Sequence, residues 1–110
     1  MSWSEPVESE LHRAEESERI GNHGRARTCA RRAVGLAVSE LKKSGLLKDY
    51  EDDFMRQVRR LADDTGMNHE VREAAERLSA HISQDFSARS TKPVEDARII
   101  LLHLAQVGRV

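Results

Sequence analysis

Strand signals are almost absent from this chain, and that absence constrains its fold more than any other feature of the sequence. Aromatic residues make up 4% of the chain and proline occurs twice. Ala, Leu, Glu and Arg dominate every long segment between glycines. These residues favour helices, whereas strands favour β-branched and aromatic side chains. The sequence therefore predicts an all-α fold.

Four short segments rich in glycine, proline and helix-capping residues divide the chain into about five helices. The predicted helices lie near 5–20, 25–43, 50–64 and 69–86, and a fifth starts around Pro93. Asp49 and Asn68 are the expected N-caps of the third and fourth helices, and Pro93 suits a first helical turn. A chain of 110 residues is expected to form a single antiparallel bundle, with one domain over 1–110.

The predicted helices differ in how far their apolar residues spread around the helix axis. In the first, Val7, Leu11 and Ala14 form a narrow stripe, which is typical of an outer helix. In the second, apolar residues between Ala26 and Leu41 cover more than half of the circumference. We therefore expect the second helix at the centre of the bundle, where its small side chains let neighbours approach closely.

The fifth helix has apolar residues on nearly every side. The residues predicted to face the core are Val94, Ala97, Leu101, Leu104 and Ala105. Ile99 and Leu102 project away from that stripe. Because exposed apolar patches usually mark association surfaces and twofold dimers are the commonest oligomers, we expect a homodimer. The fifth or second helix should lie at or beside its interface.

Charge and cysteine content limit the partners and the compartment. The net charge is −1, so the molecule lacks the overall positive field on which non-specific nucleic-acid binding depends. No apolar run approaches the roughly 20 residues that span a bilayer, and the acidic start of the chain is unlike a signal peptide. With Cys29 as its one cysteine, the protein is expected in the cytoplasm and without membrane contact.

Metal and cofactor motifs are absent from the sequence. The five histidines form no His-x3-His pair, and one cysteine is too few for a thiolate zinc site. The segment 21–24 holds two glycines but joins two helices, so we interpret it as a hairpin turn and not as a phosphate loop. Cys29 lies on an apolar arc, which favours a core position over a nucleophile. We predict no metal and no cofactor.

Arg25, Arg27, Arg31 and Arg32 form the strongest local charge signal, near the start of the second helix. Cations there oppose the helix dipole and need a compensating interaction. The acidic first helix, across the short hairpin, is the expected partner, because surface charges are mostly solvated or paired. The alternative is a nucleotide- or phosphate-binding site at the Arg25–Arg32 cluster, with Arg31 and Arg32 as its ligands.

Glu40 falls inside the apolar arc of the second helix, between Ala33 and Leu36 on the helical wheel. A buried carboxylate needs a partner, and Arg32 and Lys43 lie on neighbouring azimuths. We therefore predict that Glu40 is a polar core residue, shielded from water and paired with a basic side chain. The alternative is a catalytic acid.

The order of these segments resembles the small HEPN-type helical bundles. The hairpin 13–24 leads into the alanine-rich helix 26–41, as at the start of those bundles. The segment Ser90-Thr91-Lys92-Pro93-Val94-Glu95-Asp96-Ala97 is similar to the beginning of their last helix. The likeness covers roughly residues 10–107 and rests on helix order and alanine spacing.

The resemblance implies an antiparallel bundle, often homodimeric, in a family that includes ribonuclease toxins, partners of nucleotidyltransferases and members of no known activity. Its ribonuclease members carry an arginine followed after four to six residues by a histidine, a spacing that Arg98 and His103 satisfy. Here Ile99 follows the arginine, where those members usually carry a polar residue. Positions i and i+5 lie about 140° apart on a straight helix, so the pair shares a face only with distortion or a dimer partner.

Three hypotheses for the function follow, and they leave open whether the chain is an enzyme. The first is a helical bundle that acts by association with itself or with a protein partner, such as the nucleotidyltransferase that the resemblance suggests. The second is a metal-independent, toxin-type endoribonuclease that uses Arg98 and His103. The third is a nucleotide- or phosphate-binding module that uses Arg31 and Arg32.

Overall fold

A computed structural model describes residues 3–80 and 92–108 of the chain, and every regular element in these residues is a helix. Helix α1 spans Glu5–Arg19, α2 His23–Lys43, α3 Phe54–Asp63, α4 His69–Ser79 and α5 Pro93–Val107. The prediction of an all-α bundle of about five helices is confirmed.

Helix α2 is the central helix, as its wide apolar face predicts. It packs against each of the other four helices, and it buries a row of alanines completely. These are Ala26, Ala30, Ala33 and Ala37. Because they recur at helical spacing, the neighbouring helices come close to the α2 backbone. Helix α1 lies outside and buries the predicted stripe of Val7, Leu11 and Ala14.

The turn between α1 and α2 depends on Gly21. Its φ of +83° lies in the left-handed region, which glycine adopts without steric cost. The next residue, Asn22, caps α2, because its side chain accepts a hydrogen bond from the Arg25 N–H at 3.2 Å. Helix α2 therefore begins at His23, two residues before the predicted start.

Helix α3 starts later than predicted and has a different cap. Asp53, not Asp49, accepts a hydrogen bond from the backbone N–H three residues on, at 3.1 Å, and the helix begins at Phe54. At Asp49 the chain is still completing a turn, in which the Tyr50 N–H donates to Leu47 O at 3.1 Å. Tyr50 consequently lies in the α2–α3 loop, where it is buried.

Helix α4 ends at Ser79, before the predicted end at 86. Ala80 has an extended backbone, with φ −65° and ψ 135°, which does not continue the helix. The Arg31 guanidinium donates to two carbonyls at this end, so α2 provides hydrogen bonds that a further helical turn would otherwise supply. Ile82 and Phe86, predicted to face the core, lie outside the described residues.

Helix α5 begins at Pro93 as predicted, but its buried face is rotated from the predicted stripe. The buried residues are Pro93, Asp96, Ala97, Ile100, Leu101, Leu104 and Ala105. Ile100 is fully buried, whereas Val94 is half-buried. The Val94 N–H donates to Glu18 Oε2 at 3.2 Å, so a side chain of α1 caps the start of α5.

Tyr50 ties the α2–α3 loop to the turn after α3. Its hydroxyl donates to Asp64 Oδ2 at 2.6 Å, and the Arg60 guanidinium carbon lies 5.1 Å from the ring centroid. Burial raises the pKa of Tyr50, and the hydrogen bond to Asp64 raises it further by a smaller amount. The same hydrogen bond lowers the pKa of Asp64. The pair is therefore a neutral phenol and a carboxylate at neutral pH.

Gly35 of α2 lies against α3 with no room for a side chain. A Cβ at this position would lie 2.3 Å from Phe54 Cδ1 and 2.9 Å from Gln57 Oε1. Gln57 is fully buried, and its side-chain nitrogen donates to Glu51 O at 2.7 Å. A displacement of Gln57 would break that hydrogen bond, so α3 cannot readily yield to a larger residue.

Gly35→Ala should lower the free energy of unfolding by about 1–3 kcal/mol, because the added methyl group overpacks the α2–α3 contact. Urea denaturation followed by circular dichroism measures the change. Gly24→Ala is the matched control, since no atom lies within 4 Å of its Cβ position. The control should be neutral or stabilising by up to about 1 kcal/mol, and equal losses in both variants would contradict the close contact at Gly35.

Tyr50→Phe should destabilise the protein by about 1–2 kcal/mol at neutral pH, because it removes a hydrogen bond to a carboxylate. The folded-state pKa of Asp64 is lowered. The stabilisation that the hydrogen bond provides is therefore present above the unfolded-state pKa of about 4, and it is lost as the pH falls through the folded-state pKa. The difference between the variant and the wild type should therefore shrink below about pH 4. Urea titrations across this range measure it, and a difference that is constant with pH would refute the assignment.

Candidate functional site

Helix α5 directs Arg98 and His103 toward different neighbours. Arg98 is exposed, and its Nη2 lies 3.1 Å from Glu15 Oε1 of α1. His103 is half-buried, and its Nδ1 lies 3.4 Å from Asn68 Nδ2 at the start of α4. A ribonuclease centre needs a proton-transfer group and a cation at the same phosphate. A single chain does not bring these two side chains together.

A groove of mixed polarity lies between α5 and the start of α4. Leu102 is 68% exposed, and Ile99, one turn earlier, is half-buried and packs partly against the core. Both line a groove of about 130 Å³, together with Val71 and His103. We call these four residues the α5 groove. Leu102 projects away from the core as predicted, whereas Ile99 does so only in part.

The four arginines near the start of α2 point in different directions. Arg25 and Arg32 are exposed, Arg27 is half-buried, and Arg31 contacts the end of α4. For Arg31 the predicted pairing with α1 is wrong, because this residue lies on the side of α2 that faces α4. Acidic side chains of α1 form other ion pairs, which are Glu10–Arg13, Glu16–Arg19 and Glu15–Arg98.

Among the described residues, the charged groups that act on Arg31 are two further arginines. Arg27 precedes it by one helical turn, and Arg59 lies nearby on α3. Burial is the main cause that lowers the pKa of Arg31, and the positive charges of Arg27 and Arg59 lower it further. We call these three residues the basic cluster. The sequence indicated Arg27 and Arg31, but Arg59 could be found only after α3 had been placed beside α2.

Glu40 is half-buried, and its hydrogen-bond partner is a hydroxyl group. Ser4 Oγ donates to Glu40 Oε2 at 3.0 Å, which ties the start of α1 to the last turns of α2. Within the described part of the chain, Glu40 forms no ion pair with Arg32 or Lys43. The serine contact, which sequence reasoning did not anticipate, gives Glu40 a structural role where α1 meets α2.

Asp96 is a buried carboxylate that sequence reasoning missed. Its side chain is 7% exposed, and Arg77 of α4 donates to both of its oxygens, from Nη2 to Oδ1 at 2.7 Å and from Nε to Oδ2 at 3.3 Å. This hydrogen bonding raises the pKa of Arg77. Asp96 shares the helical spacing of Pro93 and Ile100, which places its side chain on the buried face of α5. This spacing could have identified Asp96 as a buried carboxylate from the sequence.

Comparison of the chain with protein-family models, with curated proteins and with solved structures gave no match. Among residues 3–80 and 92–108, no three His, Cys, Asp or Glu side chains are grouped so that they could hold a metal ion. In the same residues no helix is both long and apolar enough to cross a membrane. The exposure of Leu102 in the α5 groove is a feature that the packing of these helices does not itself explain.

Arg31→Met should lower the free energy of unfolding by about 1–2 kcal/mol, because it leaves carbonyls at the end of α4 without their donors while keeping an aliphatic stem. Arg32→Met, at the exposed position next in the chain, should change it by less than about 0.5 kcal/mol. Urea denaturation of both variants provides the comparison. Equal effects would show that Arg31 does not stabilise α4 in the way described.

Proposed function

We propose that this domain acts by association and that its α5 groove binds the same surface of a second copy. The main support for this proposal is the exposure of Leu102. This side chain lies beside Ile99 on α5, whereas the neighbouring apolar residues Ile100 and Leu101 are buried. Exposed apolar side chains that adjoin one another within a polar border are typical of association surfaces.

Ile20 provides a useful comparison, since it is the other highly exposed large apolar residue in the described chain, at 66%. It lies in the turn between α1 and α2, between Arg19 and Gly21. Single exposed apolar side chains of this kind are normal on protein surfaces. Leu102, in contrast, adjoins other apolar side chains in one groove, which favours the α5 groove as the association surface.

A twofold axis beside Leu102 would bring the same groove of both copies together, because a twofold interface repeats one surface patch. Asn68, Glu70 and Gln106 border the groove and would form the polar rim that such interfaces have. The resemblance to HEPN-type bundles, which are often homodimeric, supports the same arrangement.

The apolar area available in the groove sets the expected strength of the dimer. Complete burial of a Leu or Ile side chain contributes about 1.5–3 kcal/mol, and Leu102 and Ile99 of each copy have only part of their surface left to bury. Their sum is several kcal/mol, against an association cost of at least about 4 kcal/mol. Because the two terms are of similar size, we expect a weak dimer that forms only at high protein concentration.

Analytical ultracentrifugation over a concentration series that extends to the highest soluble concentration should show a monomer–dimer equilibrium for the wild type. Leu102→Glu should abolish it, because a charge would be buried without a partner, and Ile99→Lys should weaken it. Ile20→Glu is the matched control, since it introduces the same charge at a side chain of nearly equal exposure, and it should leave the equilibrium unchanged.

Two results would contradict the proposal. A monomer mass for the wild type at every concentration would exclude self-association through any surface. A dimer that Ile20→Glu disrupts and Leu102→Glu does not would place the interface at the α1–α2 turn. If the wild type is monomeric, the groove would remain a candidate only for a different protein, such as the nucleotidyltransferase partner that the family resemblance suggests.

A further inference from the structure

His103 is the one member of the α5 groove that can carry a charge. Its side chain is half-buried, and it lines the groove together with Leu102, Ile99 and Val71. Histidine side chains ordinarily gain a proton as the pH falls through about 6.5. The charge of the proposed dimer surface therefore depends on the protonation of this ring.

The side-chain amide of Asn68 is held in one orientation because it caps α4. Its oxygen accepts a hydrogen bond from the Val71 N–H at 2.9 Å. The amide nitrogen consequently faces α5, where it lies 3.4 Å from His103 Nδ1. An amide nitrogen only donates hydrogen bonds, so Nδ1 is the acceptor at this contact and carries no proton. The observed arrangement therefore belongs to the neutral form of His103.

Protonation of His103 would place two hydrogen-bond donors against each other. A charged imidazole ring carries a proton on both nitrogens, so the Nδ1–H would face the N–H groups of Asn68. Rotation of the amide does not remove this conflict, because it would take the oxygen away from the Val71 N–H and so remove the cap of α4. Either the ring or the cap must move when the ring is charged.

The groove offers little compensation for a charge on His103. Helices α1, α2 and α4 pack against α5, and among the described residues that line the groove Glu70 of α4 is the other charged side chain. Glu70 is exposed and forms no ion pair with His103 in the described part of the chain. His69, beside the cap, is paired with Glu73. A second copy on the groove would therefore bury an unpaired charge, which is unfavourable.

We infer that His103 makes dimerisation through the α5 groove sensitive to pH, and that binding of the second copy requires its neutral form. This inference rests on the proposed function, because a twofold axis beside Leu102 would bring the His103 rings of both copies to one interface. Protonation would then place two like charges where water is excluded. The dimer should be most stable above about pH 7 and should weaken as the pH falls below about 6.5.

Analytical ultracentrifugation of the wild type at about pH 8 and about pH 5.5 tests this inference, since these values lie on either side of the ordinary titration of histidine. Dimer affinity should fall on the order of tenfold or more at the lower pH. His103→Gln should remove this pH dependence, because its side chain is neutral at both values. His69→Gln makes the same change beside the cap, at a side chain that is 84% exposed, and it should retain the dependence.

NMR spectroscopy of the wild type follows the contact with Asn68 without relying on any variant. The Val71 N–H signal should shift with the same midpoint as the His103 ring signals, because the cap links the two groups. Circular dichroism verifies that His103→Gln and His69→Gln are folded. A Val71 signal that does not follow the titration of His103 would overturn the inference.

The remaining outcomes separate this inference from the proposed function. A dimer of equal affinity at both pH values, or a pH dependence lost in His69→Gln and kept in His103→Gln, would overturn the inference and leave the proposed dimer intact. A dimer that acid strengthens would overturn it in favour of an ion pair between His103 and Glu70. A monomer at every pH would contradict the proposed function, and this inference with it.

Discussion

The close approach of helices to α2 is the constraint on which the rest of this fold depends. A row of buried alanines and the side-chain-free surface of Gly35 leave little space between α2 and its neighbours. Side chains of moderate size, such as Leu61 and Leu78, can then fill the interior although aromatic residues are scarce. Because α2 contacts all four other helices, its position also determines which polar groups meet at the helix ends.

Polar contacts from neighbouring helices complete the ends of α4 and α5. Arg31 of α2 donates to carbonyls at the end of α4, and Glu18 of α1 accepts from the first turn of α5. Helix ends leave backbone groups unpaired, so these contacts satisfy them and also orient the helices. The pair of Asp96 and Arg77 joins α4 to α5 directly. The orientation of α4 and α5, which flank the α5 groove, therefore depends in part on Arg31 and Glu18, which belong to helices distant in sequence.

The spacing of apolar residues predicted the helices and the central position of α2, because the face on which a residue lies depends only on residues close to it in sequence. The start of α3 was not predictable in the same way, since Asp49 and Asp53 both suit a cap. Residue 50 lies outside the helix, where its backbone N–H donates to Leu47 O and its hydroxyl donates to Asp64, which is distant in sequence. The partners of Arg31 lie 47 and 49 residues away, so the basic cluster could be assembled only from the tertiary structure.

The exposure of Leu102 follows from the composition of α5 and not from one particular packing. Positions i and i+2 lie about 160° apart around a helix axis, so Ile100 and Leu102 face nearly opposite directions. With Ile100 fully buried against the core, Leu102 must face outward. Rotating α5 to bury Leu102 would expose Ile100, a side chain of similar size. No rotation of α5 against the other described helices buries both, so within residues 3–80 and 92–108 one of these two large apolar side chains must face outward.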